Sequence, residues 1–249
     1  MENTEQTVIE TLREDGIAIL RNVLTSDEVE AVREDFDSAN ADLGKGSGEP
    51  GVRDRLVGEK LLAYPNLAAL YSHPKIINVV SEMLNEPTPF LWMAITNRYN
   101  PEHVGVRKHS DAIKGTLSVP FTRQAMAVFL DDVDPESGSL TYVPGSHHRH
   151  FIDPDDPDRQ APTQDEIDAG DYVPTTVNAG DVVFRVPEVW HAVVPIYRLR
   201  RYVTGTYATR GEMSRALKQR VEEELDRRRN AGEYSVPEAV RPYWELEPR

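Results

Sequence analysis

Between residues 87 and 210 the chain is cut into short apolar runs by Gly, Pro and Asp. Runs at 90–99, 124–130, 139–143, 172–177, 181–186, 190–196 and 202–208 alternate with turn signals. The run at 124–130 is apolar on both faces, the pattern of a buried strand. Many short strands punctuated in this way imply a sandwich or a barrel. The flanks have the longer period of helices. Val8, Ile9 and Leu12 predict a short helix over residues 6–14 that Gly16 ends, with a β-like piece at 16–20. Thr25 and Glu28 match a capping box, opening a helix to about residue 41 that carries Val29, Val32 and Phe36. Residues 61–86 read as mostly helical, with Pro65 and Pro74 as punctuation and Ile76, Ile77, Val80 and Leu84 as an apolar face. Met213, Leu217, Val221 and Leu225 predict a last helix over 211–229, ending in three arginines that complement its dipole. The expectation is one domain over 1–249: a helix-rich part (1–86), a β core (87–210), and a C-terminal helix with a tail (211–249).

Within the β region, Val106-Arg107-Lys108-His109-Ser110-Asp111 sets an imidazole and a carboxylate two residues apart. On a strand, positions i and i+2 share a face about 7 Å apart, so His109 and Asp111 suit adjacent corners of one metal ion. Two histidines and one carboxylate on one face of the metal, the remaining positions open, is the arrangement of non-haem Fe(II) oxygenases. The triplet alone is a weak signal in a chain with seven histidines, and it calls for a second one.

Composition narrows the chemistry. With no cysteine, a metal must be held by nitrogen and oxygen. A net charge of −14 argues against nucleic-acid binding by the chain as a whole. No run of 18 apolar residues predicts a membrane span, and the acidic N-terminus lacks a signal-peptide pattern, so the expected location is the cytoplasm.

Six histidines compete for the second ligand position; His73 precedes Pro74 and reads as a helix entry, and His103 lies in a Pro101-Glu102 turn close to His109 in sequence. His147, His148 and His150 follow a Pro-Gly turn in a polar stretch, which predicts exposure. His191 enters an apolar run, Trp190-His191-Ala192-Val193, after the turn-and-strand sequence Gly180-Asp181-Val182-Val183-Phe184. A buried imidazole there needs a partner. Taken alone, it reads first as a core histidine bonded to a backbone carbonyl.

The combination resembles the phytanoyl-CoA dioxygenase family of Fe(II)/2-oxoglutarate oxygenases. The resemblance is carried by Ala127-Val128-Phe129-Leu130-Asp131-Asp132-Val133, Glu136-Ser137-Gly138-Ser139-Leu140 and Val143-Pro144-Gly145-Ser146-His147, with His109-Ser110-Asp111 upstream and Gly180-Asp181 through Trp190-His191 downstream. It covers roughly residues 87–210. It implies a mainly β fold with flanking helices: a double-stranded β-helix (jelly-roll, cupin-like) core, packed with the N-terminal helices and a C-terminal helix. It also implies that His109, Asp111 and His191 ligate iron, and that Arg200 pairs with the distal carboxylate of 2-oxoglutarate. Arg201 points to the opposite face from Arg200 on a strand, so only one of the two reaches the pocket; Arg198 shares the parity of Arg200. Where the family often has a Trp or a small residue, and a glutamine nearby, this chain has Arg107 and Lys108. Arg107 shares the parity of His109, which makes it a candidate for the other carboxylate of 2-oxoglutarate or for an anionic substrate group, against the alternative of a surface arginine. Thr141, Tyr99 and Gln124 are further candidates for cosubstrate binding.

The implied reaction consumes O2 and 2-oxoglutarate, releases succinate and CO2, and oxidises a substrate C–H bond, with hydroxylation the expected outcome. Asp111 argues against halogenation, which needs that ligand position vacant. The expected partner is a small molecule, a secondary metabolite or its precursor, and no nucleic acid or membrane. The oligomeric state expected is monomer or homodimer. Loops at 44–51, 112–123 and 151–171 are the expected specificity elements. A cupin-like metal isomerase or lyase that uses no 2-oxoglutarate, and a non-catalytic jelly-roll binding module, are the competing readings.

Overall fold

The computed structural model describes residues 4–44, 46, 48–135, 137–211 and 213–245. Glu136 of the motif quoted above lies outside them. In chain order the elements are α1 (Glu5–Asp15), β1 (Ile17–Leu20), α2 (Ser26–Asp42), β2 (Arg53–Val57), a 3-10 turn at Glu59–Ala63, α3 (Pro65–Leu70), α4 (Pro74–Leu84), β3 (Phe90–Tyr99), β4 (Val106–His109) and β5 (Arg123–Phe129). They continue as β6 (Leu140–Tyr142), a second 3-10 turn at Ser146–His150, α5 (Gln164–Asp168), β7 (Val173–Pro174), β8 (Val182–Arg185), β9 (His191–Val193), β10 (Arg200–Ala208), α6 (Arg215–Arg229) and α7 (Arg241–Trp244).

The strands form two antiparallel sheets. The larger has the order β1-β8-β5-β10-β3-β2 and the smaller β4-β9-β6-β7. From β3 onward, successive strands largely alternate between the sheets, which is the winding of a double-stranded β-helix. Both sheets contribute to one apolar layer: Tyr99, Phe129 and Val183 from the larger meet Leu140 and Val193 from the smaller. The outer face of the larger sheet, with Leu91, Met126, Val128 and Phe184, is covered by α1 to α4 through Leu12, Phe36, Ile76 and Val80. Burial of each such side chain stabilises the fold by about 1.5–3 kcal/mol.

The helix boundaries follow local chemistry. Thr25 Oγ1 accepts from the Glu28 amide, and the Glu28 carboxylate accepts from the Thr25 amide at 2.8 Å, closing the capping box. Gly16 ends α1 at φ +82°, and its amide donates to the Leu12 carbonyl at 3.0 Å. Three strands differ from expectation. β7 shrinks to two residues and β9 to three, and β2, with the sequence Arg-Asp-Arg-Leu-Val, was not expected at all. His147 and His150 also differ: both are buried, on the 3-10 turn. His147 Nε2 stands 3.2 Å from the Arg13 carbonyl, and His150 Nε2 accepts from Trp190 Nε1 at 3.0 Å. They tie the turn to α1 and to the segment before β9. The polar composition of that stretch conceals this packing.

Candidate metal centre

β4 and β9 pair antiparallel, and the register sets His109 directly opposite His191. The two rings lie 4.2 Å apart between centroids. Asp111 follows β4, and its position is fixed from the backbone. Its amide donates to the Pro187 carbonyl at 2.8 Å, and its carbonyl accepts from Arg123 Nη1 at 3.2 Å. Arg123 is in turn clamped in a buried ion pair with Glu188, which also accepts from Ser118 Oγ. The loop holding Asp111 is thereby tied to the segment that leads into His191.

The carboxylate oxygens of Asp111 stand 3.6 Å from His109 Nε2 and 3.9 Å from His191 Nε2. One donor atom from each of the three lies within 4.8 Å of the others. Adjacent nitrogen and oxygen donors with metal bonds of about 2.1 Å sit about 3 Å apart, so the set closes on one ion with small side-chain movements.

The tautomers are determined by the outer partners. His109 Nδ1 lies 2.8 Å from the Arg107 carbonyl, and His191 Nδ1 lies 2.9 Å from the Val189 carbonyl. A carbonyl only accepts, so each Nδ1 carries the proton and each Nε2 presents its lone pair towards Asp111. Burial, with the nearby Arg185 charge, pushes His191 down to about 3, so it stays neutral near pH 7. Burial pushes the Asp111 carboxyl up, but Arg185 and the two imidazoles outweigh this and hold it well below the ordinary carboxylate range. Two lone-pair nitrogens and an ionised carboxylate fit a divalent metal of intermediate softness such as iron.

Above this cluster opens a cavity of about 410 Å³, within the roughly 300–1,000 Å³ common for ligand sites. Arg200 reaches into it from the start of β10 and is only 2% exposed. Its Nη1 donates to the Gly138 carbonyl at 2.7 Å, its Nε has no hydrogen-bond partner, and among the described residues no carboxylate pairs with it. Tyr99, Phe129 and Tyr202 surround the guanidinium, with ring centroids 5.1–5.9 Å away. A buried cation without a counter-ion is costly, and a dicarboxylate entering the cavity would supply one. Arg201 points the other way, to Asp131 and Asp37 at 2.9 Å each.

The cavity is lined by His109, Asp111, His191, Arg200 and Tyr99, but not by Arg107, Thr141 or Gln124. Arg107 fails because the register slips between Val106 and His109. That bulge breaks the two-residue alternation, leaving the Arg107 side chain exposed while its carbonyl serves His109. Thr141 pairs with Ala192, whereas its neighbours Leu140 and Tyr142 pair with Val193 and His191; Thr141 therefore lies on the outer face of the smaller sheet. Gln124 pairs with Tyr207 and has the parity of Met126 and Val128, facing the helices. Four arginines not anticipated from the sequence do line the cavity: Arg123, paired with Glu188, Arg185, whose Nη2 donates to Asp111 at 2.5 Å, and Arg53 and Arg55 on β2. No motif marks them. An Arg-x-Arg stretch outside an apolar run carries no strand signal.

Facing antiparallel sheets with a His-x-Asp and a distal His at their centre define a metal-site double-stranded β-helix. The chain belongs to the phytanoyl-CoA dioxygenase (PhyH) family, whose model matches residues 12–195. No curated protein matches the sequence significantly. Among solved structures, the chain is similar to the non-heme alpha ketoglutarate dependent carbocyclase SnoK from nogalamycin biosynthesis, at 22% identity and TM-score 0.67, covering 84% of this chain and 85% of that one. It is similar to the epimerase SnoN in complex with Fe3+, alpha ketoglutarate and nogalamycin RO, at 24% identity and TM-score 0.62, over 82% of this chain and 83% of that one. It is also similar to EctD from S. alaskensis with bound Fe, at 16% identity and TM-score 0.65, over 84% and 79%. Among the described residues, no helix is long and apolar enough to cross a membrane.

Proposed function

We propose that this protein is a non-haem Fe(II)/2-oxoglutarate-dependent oxygenase that oxidises, and in the simplest outcome hydroxylates, a C–H bond of a small organic substrate. The observation that carries this reading is the paired tautomer: two imidazoles, each locked by a carbonyl on Nδ1, turn Nε2 towards one carboxylate. His109, Asp111 and His191 would hold the iron. Iron bound there supplies the activation of O2 that couples decarboxylation of 2-oxoglutarate, to succinate and CO2, with oxidation of the substrate.

The side chains do the rest. Arg200 grips the distal carboxylate of 2-oxoglutarate, because its guanidinium is buried, charged and without another anion. Tyr99 and Tyr202 flank that carboxylate site through their stacked rings, 6.1 Å apart. Trp92, Met93 and Ile95 give the cavity an apolar wall that excludes water from the reacting C–H bond. Arg200 also supports this reading over a cupin-like isomerase or lyase, which has no use for a buried guanidinium.

The test is succinate formation from 2-oxoglutarate by the Fe(II)-loaded protein. Slow, substrate-independent turnover is expected, lost in Asp111→Gly and strongly reduced in Arg200→Ala. Failure of the wild-type protein to bind Fe(II), Mn(II) or Co(II) in calorimetry would instead support a binding module. The carbocyclase and the epimerase among the structural neighbours make ring closure and epimerisation the second reading, each beginning with cleavage of a substrate C–H bond. Product mass separates them: one oxygen gained for hydroxylation, two hydrogens lost for closure, no change for epimerisation.

A further inference from the structure

The cavity is far more cationic than the chain that encloses it. Five arginines line it and one carboxylate, Asp111, does so, although the chain as a whole carries a net charge of −14. Two of the five are accounted for within the protein: Arg123 pairs with Glu188, and Arg185 with Asp111. Arg200 is matched by the distal carboxylate of 2-oxoglutarate. Arg53 and Arg55 remain. Arg53 donates only to the neutral Asn97 amide, at 2.7 Å, and packs its guanidinium 4.9 Å from the Tyr99 ring centroid. Among the described residues neither Arg53 nor Arg55 has an ion-pair partner. The acid between them, Asp54, is buried on the opposite face of β2, near Asn100.

Their placement is specific. β2 is the edge strand of the larger sheet, and Arg53 and Arg55 pair with Tyr99 and Asn97 of β3. Both are solvent-exposed and both line the cavity, which puts them at its mouth. Like charges two residues apart on one strand face repel, and nothing in the strand compensates. One inward charge is a known guard against edge pairing, but two, aimed at a cavity that already holds Arg200, exceed that need. β2 lies two strands from β10, about 10 Å at ordinary strand spacing, so the pair is displaced from the start of β10 towards solvent.

We propose that Arg55, with Arg53 beside it, binds an anionic group of the organic substrate, a carboxylate or a phosphate, whose apolar body then lies along Trp92, Met93 and Ile95. This rests on the oxygenase reading above, since it assigns Arg200 to the cosubstrate and leaves the β2 pair for the substrate. A guanidinium pair recognises such oxyanions by forked hydrogen bonds and steers them into the cavity.

The experiment uses the full chain loaded with Zn(II) and saturated with 2-oxoglutarate, so that no turnover occurs. Benzoate and phenyl phosphate are titrated against the neutral analogues benzamide and phenol by saturation-transfer NMR. The anions are expected to bind at least tenfold more tightly, and Arg55→Gln is expected to remove that preference. In the same variant the affinity for 2-oxoglutarate, measured by calorimetry, is expected to change less than twofold. Arg198→Gln, on an exposed side chain paired with Asp134, serves as the control and keeps the anion preference. Equal binding of anions and neutral analogues, or an unchanged preference in Arg55→Gln, overturns the proposal. Parallel loss of 2-oxoglutarate affinity in Arg55→Gln also overturns it, by assigning the arginine to the cosubstrate. A wild-type protein that takes up no 2-oxoglutarate sinks the oxygenase reading first; uptake without charge discrimination sinks only this one.

Discussion

Arg185 Nη2 donates to Asp111 Oδ2 at 2.5 Å, while the other carboxylate oxygen of Asp111 faces His109 Nε2 at 3.6 Å. The guanidinium thus engages the side of the carboxylate turned away from His109 and orients it. An orienting partner of this kind is worth about 10–100-fold in metal affinity. Arg185→Gln is expected to weaken Mn(II) binding by that factor in calorimetry, with Arg185→Lys recovering part of it. Unchanged affinity in Arg185→Gln would remove the arginine from the metal centre.

Gly105 lets the segment before β4 approach β9. A Cβ built there would lie 2.2 Å from the Val193 carbonyl oxygen, and the residue has φ +86°. Gly105→Ala must therefore push β4, which carries His109, away from β9, which carries His191. The expected result is metal affinity reduced at least tenfold, with a smaller drop in thermal stability. A substitution that lowers the melting temperature while leaving metal binding intact would show that the two strands are held together elsewhere.

Substitutions at Arg200 and Arg201 are expected to separate cosubstrate binding from stability. Arg201→Ala breaks charge-assisted bonds to Asp131 and Asp37 and is expected to cost about 1–3 kcal/mol in urea unfolding while leaving the KM for 2-oxoglutarate near its wild-type value. Arg200→Ala is expected to raise that KM by at least tenfold. If the two phenotypes are exchanged, the cosubstrate site lies on the other face of β10.

Burial pushes His150 down to about 4 and His147 likewise, so both are neutral in the folded chain near pH 7. Their unfolded counterparts titrate near 6.5, so between pH 7 and 5 the unfolded state binds the extra proton and stability falls as pH falls. Each histidine contributes about 2 kcal/mol to that loss. Urea unfolding of His150→Gln is expected to show a shallower decline over this window than the wild type. Parallel curves would mean that His150 is protonated without unfolding its turn.

Much of this protein was legible locally. The capping box at Thr25, the stop at Gly16 and the helix periods depend on neighbours a few residues apart, and they appear where those residues predict. The His-x-Asp triplet and the histidine entering an apolar run were visible as a metal-centre candidate, but their convergence was not. Only the β4–β9 register brings positions 109 and 191 face to face. Alternation along a strand assigns faces only while the strand is regular, so the bulge after Val106 turned Arg107 outward against its parity. Alternation also says nothing about which face a strand presents to the cavity, and so Thr141 and Gln124 went to the wrong side. β2 was hidden for a different reason: its cavity-facing positions are arginines, and a strand that lines a charged mouth shows no hydrophobic period. Chain-local chemistry therefore set the helices and the donor types. Strand register and sheet packing, which join residues far apart in sequence, decided which of those donors share a cavity and how much positive charge surrounds them.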